Sequence, residues 1–377
     1  MTSGRLAAEE PQGAGSRQGQ LECCDLKLAD AKLVSLAAGR CVWQLPDGTL
    51  LDTETASVVA WGNCPPWPVG SHLLLADGGV VAGRLESLDD RLITIRSPAL
   101  GRIEIPAAAA AGYRGTAASR PPIAADGPVV DLVNGDRINA RSIRVAEGIA
   151  SVSWQGGSVS IPLERVHAFD LTGVPQAVPR FVADARPAVR LALVDGSRGP
   201  LALFGERLPV DRVLAIRVDG GCAIDLVGLD PIGSDAAEPV RPLDMPSQGR
   251  TLAGAPPGFR GQSGFTGLGI RTPARISYRI DPPANRFESS VAIDDSAGQG
   301  GKAIVRVVFR SVDGDLREAL ASTLIRAGDP PIGIRVGLDR ARQIELVVEA
   351  VAGDRDPAGT FWLDPRVVAA GRGSAVP

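Results

Sequence analysis

Residues 72–115 read HLLLADGGVVAGRLESLDDRLITIRSPALGRIEIPAAAAAGYRG, and residues 129–171 read VVDLVNGDRINARSIRVAEGIASVSWQGGSVSIPLERVHAFDL. The two follow one plan. An apolar run ends in Asp77-Gly78 or Asn134-Gly135, a tight-turn dipeptide, and a second run follows. A third run alternates apolar and polar residues over 92–95 or 149–152, and a last run closes on Ile105-Pro106 or Ile161-Pro162. The turns are 57 residues apart and the Ile-Pro pairs 56, so the segments keep register and read as repeats. A fainter copy opens the chain over 33–61 with its turn at Asp47-Gly48, and a fourth begins at Arg190 with Asp195-Gly196, 61 residues beyond Asn134-Gly135.

Short alternating runs bounded by Gly, Asp and Asn predict half-buried antiparallel strands. A unit of about 45 residues is close to the lower limit for a core of its own, so neighbouring copies are expected to pack together or share strands. The Pro-, Gly- and Ala-rich stretches 119–127 and 173–187 read as linkers. The expected organisation is a disordered tail over 1–25, a first repeat pair over 26–118, a second over 128–219 and a different segment over 220–371.

The whole chain of 377 residues agrees with this texture. It holds 45 glycines and 30 prolines, about a fifth of the total, so turns are frequent and long helices scarce. Forty basic against 43 acidic side chains leave a charge of -3, which supplies no electrostatic footprint for nucleic acid. No apolar run reaches the 18 residues of a membrane helix, and the first twenty residues lack the apolar core of an export signal. Five cysteines, Cys23, Cys24, Cys41, Cys64 and Cys222, fit neither a disulfide framework nor a zinc site, and a Cys41 to Cys64 bridge stays open.

From about residue 220 the pattern changes to six or seven short strand-like runs separated by turn signals, the pattern of a β-sandwich. One window, DLREALASTLIRA (315–327), has helical propensity and an aspartate placed to cap it. The ordered series GLGIRTPARISY (267–278), RFESSVAIDDSAG (286–298), GKAIVRVVFRSVDG (301–314), AGDPPIGIRVGL (327–338), ARQIELVVEA (341–350) and FWLDPRVV (361–368) resembles the novel carbohydrate-binding module family of the glycosyl hydrolase family 98 type. That family is abundant in planctomycete proteins. The resemblance implies a jelly-roll, galactose-binding-like β-sandwich, and it places a strand at 316–325 against the helical propensity. The front half resembles, more loosely, the small β-repeats that precede such modules. The fold class expected is therefore all-β: tandem small antiparallel β-repeats followed by a jelly-roll sandwich.

Catalytic motifs are absent. Only His72 and His167 could serve as imidazole bases, and they occupy opposite ends of different repeats. Asp294 and Asp295 are adjacent, so they cannot flank one glycosidic bond; they read as turn formers or as ligands of a structural calcium. A sugar presents an apolar face and a ring of hydroxyls, so its site needs an aromatic platform and directional polar groups. Among Tyr278, Phe287, Phe309, Phe361 and Trp362, the neighbours Phe361 and Trp362 point opposite ways on a strand, so one of them is free to face solvent. With Arg271 as a fork for hydroxyls and Asp294 or Asp356 as acceptors, they form the expected carbohydrate site.

The function expected is non-catalytic binding of a glycan or envelope polysaccharide. The alternative is a scaffold that keeps the fold without sugar and binds a protein partner through the repeats. It rests on the repeats and on missing histidines: Gly269-Ile270-Arg271 stands where relatives carry a Gly-Val-His triplet, and 354–359 where they carry an Asp-His turn. A sugar-binding role suggests the envelope or the outside of the cell.

Overall fold

The computed structural model describes residues 18–24, 29–37, 39–115, 127–171, 188–205, 208–232, 247–248, 258–259, 262–293, 301–351 and 359–369. Among them the strands form antiparallel sheets of 14, six and eight strands and a two-stranded hairpin, and one helix turn, Leu201–Phe204, accompanies them.

The repeats are real and share a construction. In the second and third copies an opening hairpin pairs His72–Leu75 with Val80–Ala82, or Val129–Leu132 with Arg137–Asn139. A meander follows: Arg84–Leu88, Leu92–Ser97 and Gly101–Pro106, or Ser142–Ala146, Ile149–Trp154 and Gly157–Pro162. Pro106 and Pro162 have no N–H and end the meander; each leads through a 3₁₀ turn into a closing strand, Ala110–Arg114 or Val166–Asp170. The two meanders join edge to edge through Val145 and Leu88 into the six-stranded sheet.

The turn dipeptides owe their recurrence to one hydrogen-bond pattern. Leu75 N–H donates to the Gly79 carbonyl and Gly78 N–H to the Leu75 carbonyl; Leu132, Leu193 and Leu45 head turns with the same two bonds. The Asp77, Asp195 and Asp47 carboxylates each accept from the N–H two residues on, at 2.9 Å, and the glycine between takes φ of 82°, 84° or 86°. A Cβ is strained there, which is why Gly follows the aspartate.

Two expectations about the first copy need correction. The tail expected over 1–25 contains a strand, Gly19–Cys23, which pairs with Ala29–Ala37 and with Val58–Gly62; residues 1–17 and Asp25 lie outside the described residues. Asp47-Gly48 does not head an opening hairpin. It joins Arg40–Gln44 to Leu50–Glu54, the last two strands of this copy's meander. In the fourth copy Leu201–Phe204 replaces the meander, between the Ala188–Leu193/Arg198–Pro200 hairpin and the closing strand Val213–Asp219.

Nor does the sheet follow the expected pairs 26–118 and 128–219. Along the 14-stranded path the copies lie in the order third, second, fourth, first. Arg198 opposes Val80 on one side of the fourth copy, and Ala215, Ile216 and Arg217 oppose Gly62, Trp61 and Ala60 on the other. The copy without a meander has both edges free, and pairing on both sides removes two exposed edges. Cores of all four copies merge into one cluster that includes Trp43, Trp61, Tyr113 and Phe169.

The last segment is a β-sandwich built on two long bent strands. Ala274–Ile293 merges two of the expected runs and passes Pro282-Pro283 at a break in register, where proline's missing N–H is tolerated. Ile332–Glu349 runs beside it, and Lys302–Ser311, Leu316–Arg326, Gly267–Ile270 and Thr360–Ala369 complete the layers. The window with helical propensity is the strand Leu316–Arg326, as the resemblance implied. It lies at a sheet edge with Ile325 alone fully buried, so little alternation marks it in the sequence. Between the layers lie Tyr278, Phe287, Phe309 and Trp362.

Candidate functional site

Strand register aligns several strand ends of the sandwich. Ile270, Thr360 and Ile293 stand side by side on neighbouring strands, and Ala274, Val348 and Val305 do so in the other layer. Arg271 leaves the first of these groups toward the second and is exposed. The described chain stops at Ile293 and at Val351 on this same end and resumes at Gly301 and Gly359. Asp294, Asp295 and Asp356, expected to join Arg271 as acceptors or calcium ligands, lie outside the described residues. Among the described residues no group of three His, Cys, Asp or Glu side chains is placed to hold a metal ion.

The aromatic platform expected there is not formed by Phe361 or Trp362, which are 1% and 0% exposed. The two do point to opposite faces, as alternation requires. Trp362 packs in the core against Phe287, with ring centroids 6.3 Å apart, while Phe361 packs with Ala292 and Leu363 over Gly267. The face away from the core is covered by residues 264–267 instead of water. Tyr278, Phe287 and Phe309 are buried as well. Among the described tryptophans only Trp67 and Trp154 are half-exposed, and both belong to the front half. Trp67 is not among the site residues expected from the sequence, although the Pro65-Pro66-Trp67-Pro68 run could have revealed it as a bulky ring fixed in a segment that cannot form a ladder.

His72 and His167 come nearer than their places in the repeats suggested, because the closing strands of the second and third copies are neighbours. Arg114 opposes both His72 and Ala168, so His167 faces the other side of the sheet. They cannot share a substrate. His72 Nδ1 lies 2.8 Å from the Gly70 carbonyl, and burial lowers its pKa.

A cleft of about 540 Å³ separates the sandwich from the first copy. Its walls carry Glu22 of the first strand, Glu288, Arg335 and Arg366. Arg335 reaches Glu22 at 2.7 Å and Glu288 at 3.2 Å; Arg366 Nε donates to Glu288 at 2.9 Å, and Arg286 pairs with both glutamates. Burial pushes the Glu288 carboxyl up, but Arg366, Arg286 and Arg335 outweigh it and hold the group below its ordinary value. Charges so fully matched lock two surfaces together and leave little for a ligand. Nearby, Ala223–Asp225 adds to the closing strand opposite Val368, Val367 and Arg366, and a disulfide joins Cys24 to Cys222. The Cys41 to Cys64 bridge is not made; both are free, Cys41 within the core.

Residues 240–368 match the family model described as NPCBM/NEW2 domain, so the C-terminal part of the chain carries a domain of the carbohydrate-binding kind that its motif series resembles. Among solved structures the chain is similar to CBM51 from Clostridium perfringens GH95 in complex with methyl-galactose, at 18% identity and TM-score 0.31, over 39% of this chain and 99% of that one. It is similar to the tandem CBM51 modules of a family 98 glycoside hydrolase from Streptococcus pneumoniae at 13% identity and TM-score 0.30, over 79% and 88%. A third, CBM51-2 in complex with GlcNAc and INT domains from Clostridium perfringens ZmpB, is 16% identical with TM-score 0.31, over 64% of this chain and 43% of that one. No curated protein matches the chain.

Proposed function

We propose that the protein binds carbohydrate without transforming it, through the C-terminal sandwich. The NPCBM/NEW2 match over 240–368 carries this reading. The end of the sandwich where Arg271 emerges is our candidate for the ligand, because an exposed guanidinium beside the aligned strand ends Ile270, Thr360 and Ile293 supplies a rigid fork of donors to vicinal hydroxyls. The separated histidines and the mutually paired carboxylates of the cleft support a binding role over a hydrolytic one.

A glycan array probed with the full chain tests the reading. Retention of a defined saccharide class is expected, and Arg271→Ala should weaken it about tenfold, the loss of one or two charged hydrogen bonds. No retention on any glycan, with the chain folded by circular dichroism, would reject it. The scaffold reading is favoured by one observation, the locked joint between front half and sandwich. It requires instead that a defined protein partner bind the repeats.

A further inference from the structure

A second cleft, of about 700 Å³, lies in the front half, away from the sandwich end described above. One wall is the Pro65-Pro66-Trp67-Pro68 segment, and the other carries Arg84, Arg96 and Asp195. The Trp67 indole packs against Leu74, Val80 and Ala111 and is held in place by a buried arginine. The Arg198 guanidinium lies 4.4 Å from its ring centroid and is itself fully buried, donating to the carbonyls of Pro65, Pro66 and Gly264 at 2.9, 3.0 and 2.8 Å. A half-exposed ring fixed this way is pre-organised to be stacked upon.

The opposite wall breaks a rule of sheet design. Arg84 opposes Arg96, and Arg96 opposes Arg102, so three arginines stand in a row on one face of adjacent strands. Like charges in directly opposed positions destabilise a sheet. Glu86 relieves part of this, at 2.6 Å from Arg96 and 3.5 Å from Arg102, and Glu104 lies 4.0 Å from Arg102. Arg84, inside the cleft and exposed, has no acidic partner among the described residues. The cleft's own carboxylate, Asp195, is engaged by Ser97 Oγ and by the N–H groups of Ala99 and Ser197. A local conflict kept without compensation inside the protein marks a place where something else supplies the compensation.

We infer that this cleft and the arginine row beside it bind an acidic polysaccharide, with one sugar stacked on Trp67, a carboxylate taken by Arg84 and Arg96, and the next acidic group carried toward Arg102. Rungs roughly 4.8 Å apart offer a series of forks to a regularly charged chain. The choice of a saccharide over other polyanions rests on the function proposed above. The site is separate from the Arg271 end, and the chain would then hold two carbohydrate surfaces, one for each half.

Affinity electrophoresis of the full chain in gels containing polygalacturonate, a neutral galactan or neither tests it. Polygalacturonate should retard the protein in a salt-dependent way. Arg84→Ala, at an exposed position that leaves folding intact, should cut that affinity about tenfold, and Arg84→Lys should restore part of it. Trp67→Phe should weaken binding less than Arg84→Ala while keeping the Arg198 contact. No retardation by polygalacturonate, or retardation that Arg84→Ala leaves unchanged, overturns the inference. Galactan binding lost in Arg271→Ala alone would show, in either case, that the sandwich reading stands or falls separately. Equal retardation by single-stranded DNA of matched charge, lost on the same substitution, would also overturn the saccharide assignment.

Discussion

Asp225 sits where the last repeat passes into the sandwich, and its carboxyl is turned inward onto the Thr266 hydroxyl at 2.5 Å and the Val227 N–H at 3.0 Å. Burial pushes its pKa up to about 7, and Asp219 and Asp364 add to the shift against those two donors. Tyr278, whose buried hydroxyl has no hydrogen-bond partner among the described residues, also lies near. A carboxyl raised from 3.8 in the unfolded chain binds its proton more tightly when folded, so this contribution to stability is complete below about pH 4 and is lost as the pH climbs toward 7. Asp225→Asn mimics the protonated form. Urea unfolding at pH 5 and pH 8 should show the parent losing about 1–3 kcal/mol over that range and the variant losing markedly less. Equal pH profiles would refute the assignment. Sequence could not show this group, since its partners come from residues 219, 266 and 364. The same holds for Phe361. Alternation along the strand was legible, but the cover over its outer face comes from Gly267 and its neighbours, far away in the chain.

At the scale of elements, the repeat turns were readable because their chemistry is local: an aspartate or asparagine, a glycine with positive φ, and two backbone bonds within five residues. The place of Asp47-Gly48 in its repeat was not, because the same turn closes a meander in the first copy and an opening hairpin in the others. The strand Leu316–Arg326 was misread by propensity and correctly read by the motif series around it, since neighbouring strands decide what an edge becomes. Glycine variants separate turn strain from crowding. A Cβ at Gly135 meets open space, so Gly135→Ala should cost about 1 kcal/mol for its φ of 92° alone. At Gly62 a Cβ would come 2.1 Å from the Leu214 carbonyl oxygen as well, where the first and fourth copies meet. Gly62→Ala should therefore cost at least twice as much by urea denaturation. Equal losses at both sites would mean that the copies yield at that seam.

For the whole molecule the question is whether repeats and sandwich are separable, and the joint argues that they are not. Glu22 belongs to the first strand, yet its carboxylate is shared by Arg286, Arg335 and Arg366 of the sandwich. Arg198 of the fourth copy donates to Gly264, and Arg217 pairs with Asp364 at 2.7 Å. The Cys24–Cys222 bridge closes these contacts across 198 residues of sequence. In the chain-entropy picture a loop of that length is worth up to about 5 kcal/mol, and it persists only where thiols are not kept reduced. Denatured, unreduced protein should therefore titrate three thiols, from Cys23, Cys41 and Cys64, and five after reduction. Unfolding should be a single transition, lowered as a whole by reductant. Glu22→Gln should lower it too, by about 2–4 kcal/mol, because three arginines then converge on Glu288 with one carboxylate missing. Two transitions, of which only one responds to Glu22→Gln, would mean that the sandwich folds on its own account. The repeats would then hold it as a tether and not as part of one rigid body.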